Sequence, residues 1–370
     1  MTRVVATGAL CPPGSPGPGW VAIDDGVIVD VGIGVAPAGA QDIGSALLGP
    51  GFVDLQVNGV DDVDFATADA DGWRRAGKAQ LEEGVTAYCP TLVTAPLDEY
   101  QAALERVRQA RLDAQDRLLP GVIGAHLEGP FLGGAPGAHP VALLRMADCE
   151  WLNALLDAFP DLVVIVTLAP EADPDHAATR LLQERGVRVS LGHSTATYED
   201  ALAAADAGAR LVTHVFNGMA PLHHRAPGLA GAALDDDRMT PTIIADLVHV
   251  HPVALRLAIG RKRNVALVTD RVTVRGVQVA DDGAARLPDG TLVGSTLSMD
   301  HAVRNVVGLG VPIERALEMA ATIPAQALGL NDRGRIVPGA RADLVALDPD
   351  SLAVRAVWLA GELTAGAAPN

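Results

Sequence analysis

Residues 188–215 read RVSLGHSTATYEDALAAADAGARLVTHV and form the unit that sets the pattern for the chain. The apolar runs Arg188–Gly192 and Leu211–Val215 have the residue types of buried strands, and the stretch between them has those of a helix. His193 follows the first run, and His214 lies near the end of the second. The unit therefore predicts two parallel strands joined by a helix, with a histidine at the carboxyl end of each strand.

Similar runs recur through the middle of the chain. The predicted strands are Phe52–Val57, Thr86–Leu92, Val122–Leu127, Val163–Leu168, Arg188–Gly192, Leu211–Val215, Thr242–Asp246 and Val265–Thr269. Helices fit between most of them, for example Ala70–Glu83, Leu97–Arg111, Ala177–Glu184 and Tyr198–Ala207. Eight such units over about 280 residues predict an α/β protein with a (β/α)8 TIM-like barrel. An open doubly wound sheet is the alternative, although the first strand lacks a following Gly-rich phosphate turn.

The sequence at both ends of the chain predicts short strands separated by turns that contain Pro and Gly. These strands are Arg3–Thr7, Gly19–Asp24, Gly26–Val31, Asp343–Leu347 and Val354–Leu359. Neither end could easily form a core alone, so we expect one small β-sandwich domain built from both chain termini. Its predicted limits are 1–48 and 332–370, and the barrel is expected to occupy 49–331.

The composition excludes some classes of partner. A formal charge of −17, from 28 Lys and Arg against 45 Asp and Glu, would repel nucleic acid and anionic membranes, but an anionic small molecule remains compatible. Cys11, Cys89 and Cys149 are odd in number and widely spaced, which favours buried thiols in a reducing compartment. The first residues do not resemble a secretory leader, and no apolar run is long enough to span a membrane. We therefore expect a cytoplasmic protein.

Four polar residues stand at predicted strand ends: Glu128, His193, His214 and Asp270. All strands of a parallel barrel end on one face, where enzymes of this fold build their active sites. A carboxylate and two imidazoles suit zinc or a related divalent ion with one position left open. A single histidine at a strand end is usually an ordinary hydrogen-bonded residue, so the predicted metal site depends on the whole set.

Asp270 and His139 are candidates for catalysis. Asp270 could take a proton from water activated by a metal and pass it to a leaving group, or it could simply cap a turn. His139 lies in the loop GGAPGAHP and could polarise a substrate carbonyl, although a loop histidine is often merely solvated.

Candidate substrate contacts follow the sixth and seventh strands. Asn217 and Gly218 offer backbone amides, and Arg225 could grip a phosphate or carboxylate or be a solvated surface residue. His249 and His251 would share one face if the seventh strand continued, and could then hold a second metal or an anion.

The motifs along the chain carry a resemblance. In order they are PGFVDLQVNG, HLEGPF, GAHP, LAPE, GHSTA, THVFNGM, RAPGLAGA, IIADLVHV, LVTD, GSTLSM and GRIVPGARADLV. One fragment alone is weak, but the ordered set is highly specific and runs nearly from end to end. The chain resembles the N-acetylglucosamine-6-phosphate deacetylase family of the amidohydrolase superfamily.

The resemblance implies a role for each matching position. Glu128, His193 and His214 would hold the metal, Asp270 would be the acid/base, and His139 would touch the acetamido carbonyl. Arg225 and His249 would bind the phosphate, and the loop of Arg225 can reach in from a partner subunit, which implies a homodimer. The remaining substrate contacts would be Gln56, Ala138, Asn217, Gly218, Leu292, Val293 and Gly294.

The implied reaction is metal-dependent hydrolysis of N-acetyl-D-glucosamine 6-phosphate to D-glucosamine 6-phosphate and acetate, as in amino-sugar catabolism and cell-wall recycling. We expect zinc as the metal, although the ligands are also suitable for iron, manganese or cobalt. Two alternatives stay open at this point. The chain could be an amidohydrolase for another N-acyl amino sugar or a cyclic amide, or a catalytically silent barrel used for assembly.

Three positions depart from common patterns. Many superfamily members carry His-x-His where this chain has Gln56-Val57-Asn58, so we expect one metal ion per subunit. Arg271 stands beside Asp270 where the family usually has a small residue, and could pair with Asp270 or stabilise substrate charge. The segment Val272–Thr291 is shorter than in well-known members.

Overall fold

The computed structural model describes residues 2–11, 16–116, 118–273, 278–280, 283–287 and 290–366. The described chain opens with five strands separated by turns. They are β1 (Arg3–Leu10), β2 (Gly17–Asp24), β3 (Val27–Ile33), β4 (Gln41–Asp42) and β5 (Leu47–Pro50). The first three form an antiparallel meander, and β4 and β5 run parallel to β1.

Strands and helices then alternate. In order they are β6 (Phe52–Val57), the hairpin β7 (Gly59–Val60) and β8 (Val63–Asp64), α1 (Ala70–Glu82), β9 (Val85–Val93), α2 (Glu99–Asp116), β10 (Gly121–Val122), β11 (Ala125–Glu128), α3 (Cys149–Ala158), β12 (Val163–Leu168), α4 (Ala177–Glu184), β13 (Arg188–Leu191), α5 (Tyr198–Ala207), β14 (Leu211–Val212), α6 (Gly228–Asp235), β15 (Thr240–Ile244), α7 (Pro252–Arg261) and β16 (Ala266–Val268). The chain continues with the hairpin β17 (Gln278–Val279) and β18 (Ala285–Arg286), then α8 (Met299–Gly308), α9 (Ile313–Leu317) and α10 (Ile323–Ala327). It ends with β19 (Leu344–Leu347), β20 (Val354–Leu359) and β21 (Glu362–Gly366).

The parallel strands of the described chain fill eight positions of a barrel. The order is β6, β9, β10 with β11, β12, β13, β14, β15 and β16, where β10 and β11 share one position because the strand is interrupted between them. The sheet closes where the backbone N–H of Asp270 donates to the carbonyl of Gln56 at 2.8 Å and that of Asn58 donates to the carbonyl of Arg271 at 2.7 Å. The TIM-like barrel is thus confirmed, and the doubly wound alternative is wrong.

The barrel strands form because their residues suit burial on both faces. Every residue of β6 is buried, as expected for a parallel strand covered by helices outside and packed side chains inside. Helix α5 begins with a capping box, in which Thr197 and Asp200 each accept the other's backbone N–H. The strand predicted to reach Val215 stops at Val212, since His214 turns into the left-handed region with φ of 28°.

Strands from the two chain ends pair in one separate sheet, as expected for a small β-domain built from both termini. Strand β19 lies antiparallel to β5, and β20 and β21 extend the same sheet. Its side chains enclose a separate core that includes Ile28, Leu48 and Trp358. The limits 1–48 and 332–370 stay a prediction: β5 runs across the first of them, and residues 1, 12–15 and 367–370 lie outside the described residues.

In the part of the chain that the structure describes, no helix combines the length and the apolar character needed to cross a membrane.

Candidate active site

A cavity of about 640 Å³ opens at the carboxyl ends of the barrel strands. Most residues that the sequence singled out line it: Glu128, Ala138, His139, His193, His214, Asn217, Gly218, His249, Asp270, Leu292, Val293 and Gly294. Gln56 and Arg225 are not among the lining residues. The segment Val272–Thr291, which the sequence indicated to be short, also contributes residues to the cavity wall. Its residues 274–277, 281–282 and 288–289 lie outside the described residues.

Glu128 is the centre of the predicted metal cluster. Its Oε1 atom lies 3.0 Å from Nε2 of His193 and 3.0 Å from Nε2 of His214, and all three side chains are buried. Burial alone would raise the pKa of the Glu128 carboxyl, but hydrogen bonds from the two histidines outweigh it and hold that pKa well below its ordinary value. Burial has the opposite effect on a histidine and by itself would lower the pKa of His214. The hydrogen bond to Glu128 outweighs burial, and the pKa of His214 is raised.

The backbone turns sharply where these side chains leave the strands. His193, His214 and Asp270 have φ angles of 49°, 28° and 48°, in the left-handed region that side chains with a Cβ rarely occupy. Such strained residues concentrate at functional sites, where the surrounding structure holds them in place. The turn ends each strand and directs its last polar side chain into the cavity.

His139 reaches the cluster from the loop after β11. Its Nε2 atom lies 4.0 Å from Oε1 of Glu128, and its ring packs edge-on against that of His193 with centroids 4.4 Å apart. Burial lowers the pKa of His139 to about 4, so the ring is neutral at ordinary pH. Glu128, His139 and His193 also place their ligand atoms within 4.8 Å of one another, so geometry alone offers a second possible set of metal ligands.

Asp270 is held by two amides. Nε2 of Gln56 donates to Oδ1 of Asp270 at 3.1 Å and also to Oε1 of Glu128 at 3.0 Å, and Nδ2 of Asn58 donates to the same Asp270 oxygen at 2.9 Å. Burial, followed by the nearby charge of Glu128, raises the pKa of Asp270 to about 6. A carboxyl that titrates there can both accept and release a proton near neutral pH.

Arg271 does not pair with Asp270, so that option is wrong. Its guanidinium donates to both carboxylate oxygens of Glu83, at 2.7 and 2.9 Å, and to Asp61 at 2.7 Å. The reason is the turn at Asp270, whose φ of 48° takes the backbone out of the extended conformation and sends the next side chain toward Glu83 and Asp61. Asp270 faces the cavity, and Arg271 faces the partners that surround the barrel.

The two expected phosphate ligands lie in different places. His249 lines the cavity, and its Nδ1 atom lies 2.6 Å from Oδ2 of Asp246. Arg225 is exposed on the loop after β14 and contacts the ring of His224 at 2.8 Å. The suggested pairing of His249 with His251 is wrong, because β15 ends before both, and His251 instead caps α7 by accepting the N–H of Val253.

Several polar residues near the cavity went unrecognised in the sequence. Asp54 and His126 each precede a site residue by two positions in a strand, and period-two spacing puts them in the barrel interior below Gln56 and Glu128. That spacing was the signal that could have revealed them. Two others, Glu171 in the motif LAPE and Arg286 on β18, gave no such signal, although Arg286 lines the cavity.

Known proteins resemble this chain in sequence and in fold. The model of the amidohydrolase family matches residues 47–364. The N-acetylglucosamine-6-phosphate deacetylase of Mus musculus is 40% identical over 350 residues, which cover 87% of this chain and 84% of that protein. The N-acetylgalactosamine-6-phosphate deacetylase of Escherichia coli O157:H7 is 40% identical over 367 residues, covering 93% and 96%.

A solved structure agrees. A mutant N-acetyl-D-glucosamine-6-phosphate deacetylase from Mycobacterium smegmatis, in complex with N-acetyl-D-glucosamine-6-phosphate, superposes with a TM-score of 0.90 at 35% identity, covering 98% of this chain and 99% of that one. The resemblance found in the motifs is confirmed. The chain belongs to the amidohydrolase family and, within it, to the group of N-acetyl amino sugar 6-phosphate deacetylases.

Proposed function

We propose that this chain hydrolyses N-acetyl-D-glucosamine 6-phosphate to D-glucosamine 6-phosphate and acetate, using one divalent metal ion per subunit. The observation that carries the proposal is the convergence of Glu128, His193, His214 and Asp270 on one cavity. The relatives from Mus musculus and Mycobacterium smegmatis, which are named for this activity, support the choice of substrate.

The residues of the cluster fit a divalent metal. Nδ1 of His193 lies 3.2 Å from the carbonyl oxygen of Ala135 and can donate to it, so the ring can give up the Nε2 proton that it shares with Glu128 and offer that nitrogen to a metal. His214 presents the same nitrogen, since its Nε2 lies 3.0 Å from Oε1 of Glu128, while its buried Nδ1 finds no hydrogen-bonding partner among the described residues. When bound, the metal would supply a Lewis acid that polarises the amide carbonyl and lowers the pKa of water.

We propose a single ion, because Gln56 and Asn58 offer neutral amides where other superfamily members offer imidazoles. Both amides donate to Asp270, a use that needs no second metal. Zinc is the first metal to test, followed by iron, manganese and cobalt. Metal analysis of the purified protein should give one equivalent per chain, and two tightly bound equivalents would contradict the proposal.

Asp270 is proposed to transfer protons, and His139 is proposed to stabilise the carbonyl oxygen. Asp270 takes a proton from the attacking water as the water oxygen bonds to the acetyl carbon, and the same proton passes to the sugar nitrogen as the C–N bond breaks. Neutral His139 can donate from Nε2 to the carbonyl oxygen when its Nδ1 accepts from the hydroxyl of Thr94, which lies 2.9 Å away.

The role of His139 can be separated from that of a metal ligand. His214→Ala should lose metal, because it removes one of the three proposed ligands. His139→Ala should keep its metal and lose most of its activity, because it removes only the carbonyl contact. Metal content and kcat of both purified variants are the measurements, and equal loss of metal from both would make His139 a ligand instead.

The cavity can hold the rest of the sugar phosphate. His249 would meet the phosphate, and we propose contacts to the sugar from Ala138, Asn217, Gly218 and the run Leu292, Val293 and Gly294, all of which line the cavity. Gln56 lies beneath these residues, so its contact with substrate stays a prediction. If His249→Ala and Arg225→Ala leave KM for the phosphorylated sugar unchanged, the assignment of the phosphate site fails.

Arg225 is the basis for proposing a homodimer. It lies outside the cavity of its own chain, in a loop that also exposes Leu222, so we propose that it completes the site of a partner subunit. Dimers assembled from Asp270→Asn and Arg225→Ala subunits would then contain one complete site and recover about half of the activity. No recovery in mixed dimers would place Arg225 in its own subunit or outside the reaction.

We also propose a cytoplasmic location. Cys11, Cys89 and Cys149 are free thiols, and burial raises the pKa of Cys11 to about 12, which keeps that thiol neutral and unreactive. Free thiols of this kind suit a reducing compartment. Fractionation of cells that express the chain should recover it with cytosolic markers.

An acetate-release assay decides the substrate. The metal-loaded chain should release acetate from N-acetyl-D-glucosamine 6-phosphate far faster than from the unphosphorylated sugar, and Asp270→Asn should be inactive. N-acetyl-D-galactosamine 6-phosphate belongs in the same assay because of the Escherichia coli relative. A higher kcat/KM for that epimer would reassign the substrate within the family, and no release from any of the sugars would refute the proposal.

A further inference from the structure

We propose that Glu171 is a positioning residue that fixes the loop Gly133–His139 against the turn after His193, and thereby aligns both His193 and His139. The inference rests on the proposed function, because it concerns the same site. Glu171 lies in the short 3₁₀ turn Pro170–Ala172, which follows β12. Its carboxylate joins the loop after β11 to the turn after β13, the two strands that flank β12.

Each oxygen of this carboxylate has its own partners. Oε1 accepts the backbone N–H of Gly134 at 3.0 Å and that of Thr195 at 2.8 Å. Oε2 accepts the hydroxyl of Ser194 at 2.5 Å. Gly134 belongs to the loop after β11, whereas Ser194 and Thr195 directly follow His193. One side chain therefore connects the loop that carries His139 to the turn that carries His193.

The local sequence leaves room for this contact. A Cβ atom at Gly133 would overlap Oε1 of Glu171, and one at Gly134 would overlap the hydroxyl of Thr195. The N–H of Gly133 donates to the carbonyl of His193 at 2.8 Å, which makes a second connection between the same two segments. The two glycines thus allow the loop to approach as closely as the hydrogen bonds require.

The loop in turn holds a proposed metal ligand. The carbonyl of Ala135 lies 3.2 Å from Nδ1 of His193 and fixes the ring with Nε2 toward Glu128. His139, at the end of the same loop, lies 4.0 Å from Glu128. Loosening the loop would therefore disturb the orientation of one ligand and the placement of the residue proposed to meet the substrate carbonyl.

The charge of Glu171 suits this role. Burial alone would raise the pKa of its carboxyl, but the donors from Ser194, Gly134 and Thr195 outweigh that effect and lower it. The side chain is ionised at neutral pH, and hydrogen bonds to an ionised acceptor are stronger than those to a neutral one. Glutamine in its place would keep an acceptor oxygen but lose the charge, so its effect should be intermediate.

The test compares Glu171→Ala and Glu171→Gln with Glu199→Gln, an exposed glutamate on α5 that serves as the control. Glu171→Ala should weaken metal binding, measured by competition with a chelator, and lower kcat by about 10- to 100-fold with a smaller change in KM. Glu171→Gln should fall between that variant and the wild type, and Glu199→Gln should match the wild type.

A second readout needs no activity. In the metal-free chain, Glu171→Ala should speed hydrogen–deuterium exchange at the amides of Gly134 and Thr195 while strands of the terminal sheet stay protected. Unchanged exchange, metal affinity and kcat would overturn the proposal, as would an equal rise in exchange throughout the protein. If the wild type releases no acetate, the proposed function fails, and the exchange and metal measurements still decide the role of Glu171.

Discussion

Nδ2 of Asn58 donates a 2.9 Å hydrogen bond to Oδ1 of Asp270 across the seam that closes the barrel. Gln56 donates to the same oxygen at 3.1 Å. The two amides stabilise the ionised carboxylate and fix its orientation, which leaves Oδ2 as the oxygen that can exchange a proton with water. The pair that replaces His-x-His in this chain thus acts on the proposed acid/base.

The first prediction concerns the pH dependence of Asn58→Ala. Asp270 works as a base when ionised, so kcat/KM falls as the pH drops through its pKa, which is about 6 in the metal-free chain and lower when a cation is bound nearby. Removing the Asn58 donor raises that pKa and moves the acidic limb to higher pH. A profile of kcat/KM against pH measures the shift, with Gln109→Ala as a surface control. An unmoved limb would separate Asn58 from the titration of Asp270.

The second prediction concerns Asp54 and stability. Burial, opposed by hydrogen bonds from Thr269 and Gln56, raises the pKa of Asp54 to about 7, above its value in the unfolded chain. A raised pKa in the folded state gives stability that is present at low pH and is lost as the pH rises through the folded value. The fall in unfolding free energy between pH 5 and pH 8 should therefore be smaller in Asp54→Asn than in the wild type. Equal falls, measured by urea denaturation, would contradict this assignment.

Arg271 gives a third prediction, because its partners are structural. Arg271→Ala leaves the largely buried Glu83 without its cation and should lower the free energy of unfolding by about 1.5–3 kcal/mol. The pH of the acidic limb of kcat/KM should stay where it is in the wild type. A limb that moves in Arg271→Ala, with Arg75→Ala as the exposed ion-pair control, would mean that Arg271 acts on Asp270 after all.

A fourth prediction comes from a chain of hydrogen bonds below the metal cluster. Nδ1 of His126 faces the carbonyl of Leu55 at 3.0 Å, and burial lowers the pKa of His126 to about 4, so its Nε2 is a bare acceptor for the hydroxyl of Thr167 at 2.7 Å. Thr167→Val keeps the shape and removes that donor. It should destabilise the fold by about 1–3 kcal/mol in urea denaturation, because Nε2 stays buried and unpaired.

Thr364→Val on β21 is the matched control for the Thr167 variant. Its hydroxyl donates to Val357 at the edge of the terminal sheet and is partly exposed, so water can replace the lost partner. If both variants lose the same free energy of unfolding, the buried hydrogen bond between Thr167 and His126 stabilises the fold no more than the partly exposed one at Thr364.

The sequence predicted the strands and helices that are marked by a pattern within a short segment of the chain. Apolar runs bounded by Gly and polar residues marked all eight barrel strands, and β6, β12 and the helices α4 and α5 have the predicted limits. His193, His214 and Asp270 were found because each ends such a run. Arg271 could not be oriented in the same way, since the side it faces depends on the φ of 48° at Asp270 and on where Glu83 and Asp61 lie after folding.

The sequence by itself determined the alternation of strand and helix, the polar residues at strand ends and the ordered motifs of the family. It could do so because hydrophobic periodicity and strand-end placement are properties of short segments. Only the tertiary structure decided that Gln56 and Asn58 meet Asp270, that Arg225 lies outside its own cavity, and that Glu171 joins two loops of the site. These contacts link residues far apart in the chain, and closure of the barrel is what brings them together.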